Sequence, residues 1–425
     1  MEMQLNSPQK IPSSKKSLSI FKEPLLDREC KRKLSNFIDS CVSLYRRQEQ
    51  AENEEKRNSA HNSGHMLRAA IASVNYIEQE VPEIELKPTI MALSMITGLV
   101  HDMVRMPREV NGRSDGHITA DLIRFCASRG IIQSPLPEPN LDFEKAYSLL
   151  SGKYDSEMFG ISGFLSMIGQ GHIEDIASAI EGNELKESSA ILAKAKEWQD
   201  QGLVSKAALQ NALLYADKGI EGIGKIVIVR RFQFVSGERA ENPEDIGMLR
   251  KAILSRDFSE EEFRMLAFLG ESMIRIYSNK SLDDLPDTPL WKSVKESRDF
   301  EEKVYYSILK CFFSKNSFRN EKEVLDYLYE LKFPKLDAKT YEKISSKMKN
   351  VDLSSEAIGS IPIDLANQAY HFGIALAFSQ SKDPDFKIQA EYHESQVSDP
   401  YLRACFVESD TAMLAEQLKL KAESI

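Results

Sequence analysis

The stretch KPTIMALSMITGLVHDM, residues 87–103, carries an unbroken apolar run that ends on an adjacent imidazole and carboxylate, His101 and Asp102. The pattern is helical, and the run reads as a long buried helix. A helix of this kind delivers His101 and Asp102 at its polar end. A carboxylate at the edge of a core has to be paired, hydrogen-bonded or metal-bound, because desolvating it alone costs several kcal/mol. The plainer alternative is a helix end that simply reaches solvent.

Helical spacing extends outward on both sides. CKRKLSNFIDSCVSLYRRQEQ, HMLRAAIASVNYIEQE and HITADLIRFCASR repeat apolar residues every three to four positions, and strand-like alternation is scarce. The period returns in IEDIASAIEG and in KAALQNALLYADKGIEGIGKIVIVRRF, and the polar run GERAENPED breaks it near 237–245. The reading is an all-α chain. It has a flexible arm over 1–25, a helical bundle over 26–245 with insertions near 131–170, where the chain reads as irregular, and 185–205, and a second helical region over 246–425. No repeat period is visible.

The 425 residues are 42% apolar and 28% charged, values of an ordinary folded protein. The formal net charge of −10 argues against broad nucleic-acid or anionic-membrane binding, which needs a surplus of Lys and Arg. Five scattered cysteines (Cys30, Cys41, Cys126, Cys311, Cys405) show no CxxC pair and no disulfide framework, so they are read as reduced thiols. With no apolar run of spanning length and no secretory h-region, the expectation is a soluble, cytoplasmic protein. A translocated effector with a polar export signal would read the same way.

Five of the seven histidines, His61, His65, His101, His117 and His172, fall in the first 172 residues. Imidazole and carboxylate suit divalent transition metals, and bundles present such ligands from facing helices. A four-residue step puts His61 on the same helical face as His65, with Arg68 one turn onward. Taken alone, such an HxxxH pair in a polar stretch is more often a solvated helix start. Asp217, in NALLYADKG, is again an acid closing an apolar helical run, followed by Lys218. His117 opens the helix SDGHITADLI, a common place for an exposed histidine. His371 and His393 lie apart and are read as structural.

In order, HMLR (65–68), HDMVR (101–105), GHITADLI (116–123), IEDIASAIEGNE (173–184) and ADKGIEGIGKIVIVRRF (216–232) resemble the HD superfamily of metal-dependent phosphohydrolases, over about two-fifths of the chain. The resemblance implies an HD-type bundle in which His65, His101, Asp102 and Asp217 ligate one divalent cation (Mn, Mg, Fe, Ni or Zn), with Asp102 also able to bridge to a second. Asn183 stands where fuller family members carry a further histidine ligand, and an amide is a poorer ligand, which weakens the case for a second ion. His117 and Asn183 match positions lining the second-metal or substrate site.

The implied reaction is hydrolysis of a phosphate ester in a nucleotide-like small molecule. Arg68 and Arg105 would clamp phosphoryl oxygens, Lys218 would supply a nearby charge, and His61 would act as a general acid or nucleophile. HNSGHMLR (61–68) is also similar to the HGxxHxxR motif of SidE-type effector phosphodiesterases. That similarity implies a phosphoribosyl-linked ubiquitin adduct as substrate and His61 as the catalytic histidine. A reading of another class is a degenerate HD scaffold whose C-terminal region binds a protein partner.

Overall fold

The structure is a computed structural model. It describes residues 28–54, 63–104, 115–128, 150–185, 188–221, 243–278, 285–315, 318–334, 336–348, 359–379, 384–407 and 410–425, and all regular structure among them is helical. The first group comprises α1 (Arg28–Glu54), α2 (Ser63–Glu80), α3 (Lys87–Val100), α4 (Asp115–Ser128), α5 (Asp155–Leu165), α6 (Gln170–Asn183), α7 (Ser188–Asp200) and α8 (Val204–Leu213). Helix α8 runs directly into a π turn, Leu214–Ile220.

The second group comprises α9 (Pro243–Leu254), α10 (Glu260–Ser278), α11 (Pro289–Ser314), α12 (Glu321–Glu330), α13 (Ala338–Lys347), α14 (Asp364–Ser379), α15 (Pro384–Ser395) and α16 (Pro400–Val407). Helix α17 (Thr411–Ser424) closes the chain.

Helix α3 is the axis of the first core. Nearly all of it is buried, as its apolar run requires, and Leu93, Ile96 and Val100 share one core with Leu34, Phe37 and Ile38 of α1, Met66 and Val74 of α2, and Ile173 and Ile176 of α6. Helices α2 and α3 cross at Gly98, where an added Cβ would lie 2.6 Å from the Ala70 Cα. No side chain fits between the two backbones, so glycine sets how closely His65 and His101 approach. A separate core holds α9 to α14, with Phe263, Leu266, Tyr305, Ile308, Val324 and Phe372 at its centre. The two meet where Trp291 and Val294 of α11 pack on Ala69, Ala72, Leu214 and Tyr215. The Trp291 ring stands edge-on to Tyr215, 5.3 Å between centroids, and so braces the π turn from behind.

Two features depart from the sequence reading. The stretch treated as an irregular insertion near 131–170 contains α5, whose Met158, Ile161 and Leu165 lie in the first core; residues 131–149 are outside the described set. Gly160 and Gly163 make this segment look loop-like, yet its apolar residues keep helical spacing, and Gly160 lets the helix lie close against Ser40 of α1. The last helix does not stay with the second region. Leu414, Leu418 and Ala422 of α17 belong to the first core, and Lys421 bonds Glu78 of α2 at 2.9 Å. Asp410 starts that helix by accepting from the amides of Ala412 and Met413.

Candidate metal centre

The side chains of the centre are delivered by three separate chain segments, with His101 and Asp102 sharing one. Helix α2 begins at Ser63, whose amide and hydroxyl both bond the Glu49 carboxylate of α1, at 2.5 and 3.1 Å. A carboxylate there serves otherwise unsatisfied N–H groups and the positive end of the helix dipole. His65 follows two residues later, fully buried. The far end of α3 is fixed from α1 by Tyr45, whose hydroxyl donates to the Leu99 carbonyl at 2.6 Å. His101 comes next, with Asp102 in the turn beyond. Asp217 lies within the π turn, a wide i→i+5 geometry that often occurs at functional sites.

These four side chains meet. His65 Nε2 lies 3.2 Å from His101 Nε2, 3.5 Å from Asp102 Oδ2 and 3.7 Å from Asp217 Oδ1. His101 Nε2 lies 3.6 Å from Asp102 Oδ2 and 3.7 Å from Asp217 Oδ1. A tetrahedron of ligands about 2.0–2.2 Å from its centre has edges of about 3.3–3.6 Å, close to all five separations.

The hydrogen bonds at the back of each ring decide what faces inward. His101 Nδ1 lies 2.8 Å from the Gly98 carbonyl, which can only accept, so Nδ1 carries the hydrogen. His65 Nδ1 lies 3.0 Å from Glu221 Oε2, and Glu221 is held by Arg68 through Nε at 2.8 Å and an Nη at 3.0 Å. This too makes Nδ1 the donor. Both Nε2 atoms therefore turn bare lone pairs toward each other and toward two carboxylates, an arrangement that repels itself unless a cation or a proton sits at its centre.

The electrostatics agree. Burial works against charge on His101, yet Asp102 and Asp217 beside it push its pKa up to about 9. Burial likewise works against Asp217 as an anion, and the His101 imidazole outweighs it, holding the acid below the usual carboxylate range. The pocket holds positive charge strongly.

The imidazoles form the floor of the site, at 0% and 3% side-chain exposure, while Asp102 at 14% and Asp217 at 20% open toward solvent. A ligand approaching the centre comes in on the carboxylate side. Asn183 donates from Nδ2 to Asp217 Oδ2 at 2.8 Å, so the outer oxygen of that carboxylate is already engaged. The Asn183 Oδ1 is buried with no hydrogen-bond partner among the described residues.

Arg68, expected to clamp phosphate, is turned onto Glu221. Lys218, next to Asp217, donates to the Leu185 carbonyl at 2.5 Å; burial lowers its pKa, opposed by Asp217 and Glu184. His117 is half-buried in the first turn of α4, whose start is tied to the end of α6 by the Gly116 amide donating to Glu184 at 3.2 Å. His61 and Arg105 lie outside the described residues.

Sequence reasoning missed Glu221, fully buried behind His65, and Glu49 at the start of α2. A signal existed for Glu221, which falls four residues after Asp217, one turn on, and is too polar for an apolar stretch without a partner. Comparison with protein-family models, with curated proteins and with solved structures returns no match.

Proposed function

We propose that this chain is a metal-dependent hydrolase of phosphate esters, acting on a nucleotide-like or other phosphorylated small molecule. The observation that carries the proposal is the convergence of two imidazole lone pairs and two carboxylate oxygens from three chain segments, with His65 and His101 buried and grouped with Asp102 as potential ligands. An N₂O₂ donor set suits Mn, Fe, Ni or Zn better than Mg or Ca, which favour all-oxygen shells. A divalent cation held by these four ligands with a further coordination position open on the carboxylate side would polarise a phosphoryl oxygen and bring the pKa of bound water toward about 7.

The chain's own residues define the rest. His65 and His101 form a rigid floor, because the second nitrogen of each ring is fixed, one by Glu221 and one by the Gly98 carbonyl. Asp102 and Asp217 present their oxygens on the solvent side, where a substrate phosphate arrives. Asn183 donates to Asp217 Oδ2 and so takes one of that oxygen's lone-pair directions, and as an amide it is a poorer ligand than imidazole, both of which favour a single ion. Lys218 adds positive charge beside Asp217, which helps balance an incoming phosphate.

The test is turnover of a panel of nucleotides and a generic phosphodiester by purified protein supplied with Mn²⁺, Fe²⁺, Ni²⁺ or Zn²⁺. Activity is expected with at least one metal and is expected to vanish in Asp102→Ala while the far-UV circular dichroism stays unchanged. Full activity in that variant, or none in the wild type with any metal, would refute the proposal.

A further inference from the structure

Glu221 and Asp217 sit four residues apart on one wide turn, and they address the two ends of the same imidazole. Asp217 Oδ1 lies 3.7 Å from His65 Nε2, on the metal side, while Glu221 Oε2 lies 3.0 Å from His65 Nδ1, behind it. Glu221 is fully buried, and a buried carboxylate survives only when its charge and lone pairs are met. Arg68 does both, with one guanidinium nitrogen on each oxygen at 2.8 and 3.0 Å. Arg68 and His65 share helix α2, three residues apart and so on one face. The result is a closed loop of contacts, Arg68 to Glu221 to His65, with both ends of the loop on α2 and its middle on the segment that also supplies a ligand.

We infer that Glu221, held by Arg68, is the positioning residue of the metal centre: it fixes His65 in the Nδ1–H tautomer with Nε2 aimed at the cation, and the π turn exists to place that carboxylate and the ligand Asp217 on opposite ends of one ring. The inference rests on the metal-centre reading above. It assigns Arg68 to the metal's support rather than to substrate. Carboxylates behind ligating histidines fix the ring's orientation and raise its basicity, and their loss weakens metal binding by about 10- to 100-fold. An ordinary α-turn, one residue tighter per hydrogen-bonded ring, would carry Glu221 off the line of His65 Nδ1 if Asp217 stayed in place.

The experiment is calorimetric titration of Zn²⁺ into the full-length protein, metal-stripped, comparing wild type, Glu221→Gln, Arg68→Met and the double variant, with melting midpoints measured in chelator. Each single variant is expected to bind Zn²⁺ about 10- to 100-fold more weakly. The double variant is expected to be no weaker than the worse single, since both act through the same ring. A purely structural ion pair would lower the midpoint and leave the affinity of the folded protein unchanged, and that result overturns the inference while leaving the metal centre intact. Failure of the wild type to bind Zn²⁺ overturns both.

Should a variant not fold, ¹⁵N-histidine spectra of the wild type decide. His65 protonated on Nδ1 and bare on Nε2 supports the inference; the opposite tautomer overturns it.

Discussion

Replacing Gly98 by alanine places a methyl carbon 2.6 Å from the Ala70 Cα, 2.8 Å from its amide nitrogen and 3.0 Å from the Ala69 carbonyl carbon. Comfortable carbon contacts are about 3.5–4.0 Å, so α2 and α3 must move apart by about 1 Å. The obstructing atoms are backbone, which cannot swing aside as a side chain would. Overpacking of this kind costs about 1–3 kcal/mol, and the better helix propensity of alanine returns about 1 kcal/mol, leaving a net loss of about 0–2 kcal/mol.

The functional effect is larger than the stability effect. His65 rides on α2 and His101 on α3, and their 3.2 Å nitrogen separation would widen to about 4 Å, which at normal bond lengths forces the N–metal–N angle far wider than tetrahedral. Gly98→Ala should therefore melt slightly lower than wild type in chelator and bind Zn²⁺ at least about tenfold more weakly, because a misplaced ligand forfeits the bidentate grip of two facing rings. Melting curves with and without metal, together with a Zn²⁺ titration, measure both. Unchanged midpoint and unchanged affinity would show that the two helices do not depend on this close approach.

Two further outcomes follow from other parts of the molecule. Ending the chain at 410 removes Leu414 and Leu418, each worth about 1.5–3 kcal/mol of burial, together with the Lys421–Glu78 and Lys419–Asp39 ion pairs. The truncated protein should therefore lose several degrees of apparent melting temperature in the first core, although the deleted segment lies far from that core in sequence; an unaltered melt would show that α17 is dispensable. In the second region His371 Nδ1 and His393 Nδ1 are 2.7 Å apart, and burial lowers the pKa of both, that of His393 to about 4 with further contributions from His371 and Arg264. Their folded values lie below the unfolded value near 6.5, so the folded state resists protons that the unfolded chain takes up, and stability should fall as pH drops from about 6.5 to about 4. Denaturation midpoints across that range should flatten in His371→Ala, and an equal slope in the variant would contradict the assignment.

The helices were legible because their packing needs are local. The apolar run 90–100 demands burial on nearly every side, and the structure gives α3 that environment. His101, Asp102 and Asp217 stood out as polar groups closing apolar runs, and the structure brings all three together with His65. Long-range pairings were not legible. Glu221 is defined by Arg68 and His65, more than 150 positions earlier, so its place one turn after Asp217 in an apolar stretch hints at burial without naming its partners. The π turn is a shift in hydrogen-bond register that leaves no mark on the apolar period. Helix α17 shows its spacing of Leu414, Leu418 and Ala422 in sequence but not which core that face covers. Arg68 illustrates the opposite error: a guanidinium near a metal motif suggested phosphate, whereas a buried carboxylate had the stronger claim on it.

The account stands on four side chains holding one cation, and anomalous scattering measures that directly. Crystals grown with Zn²⁺ and recorded on both sides of the zinc absorption edge should give one strong peak about 2.0–2.2 Å from His65 Nε2, His101 Nε2, Asp102 Oδ2 and Asp217 Oδ1. No peak among those atoms, with those side chains ordered, would contradict it.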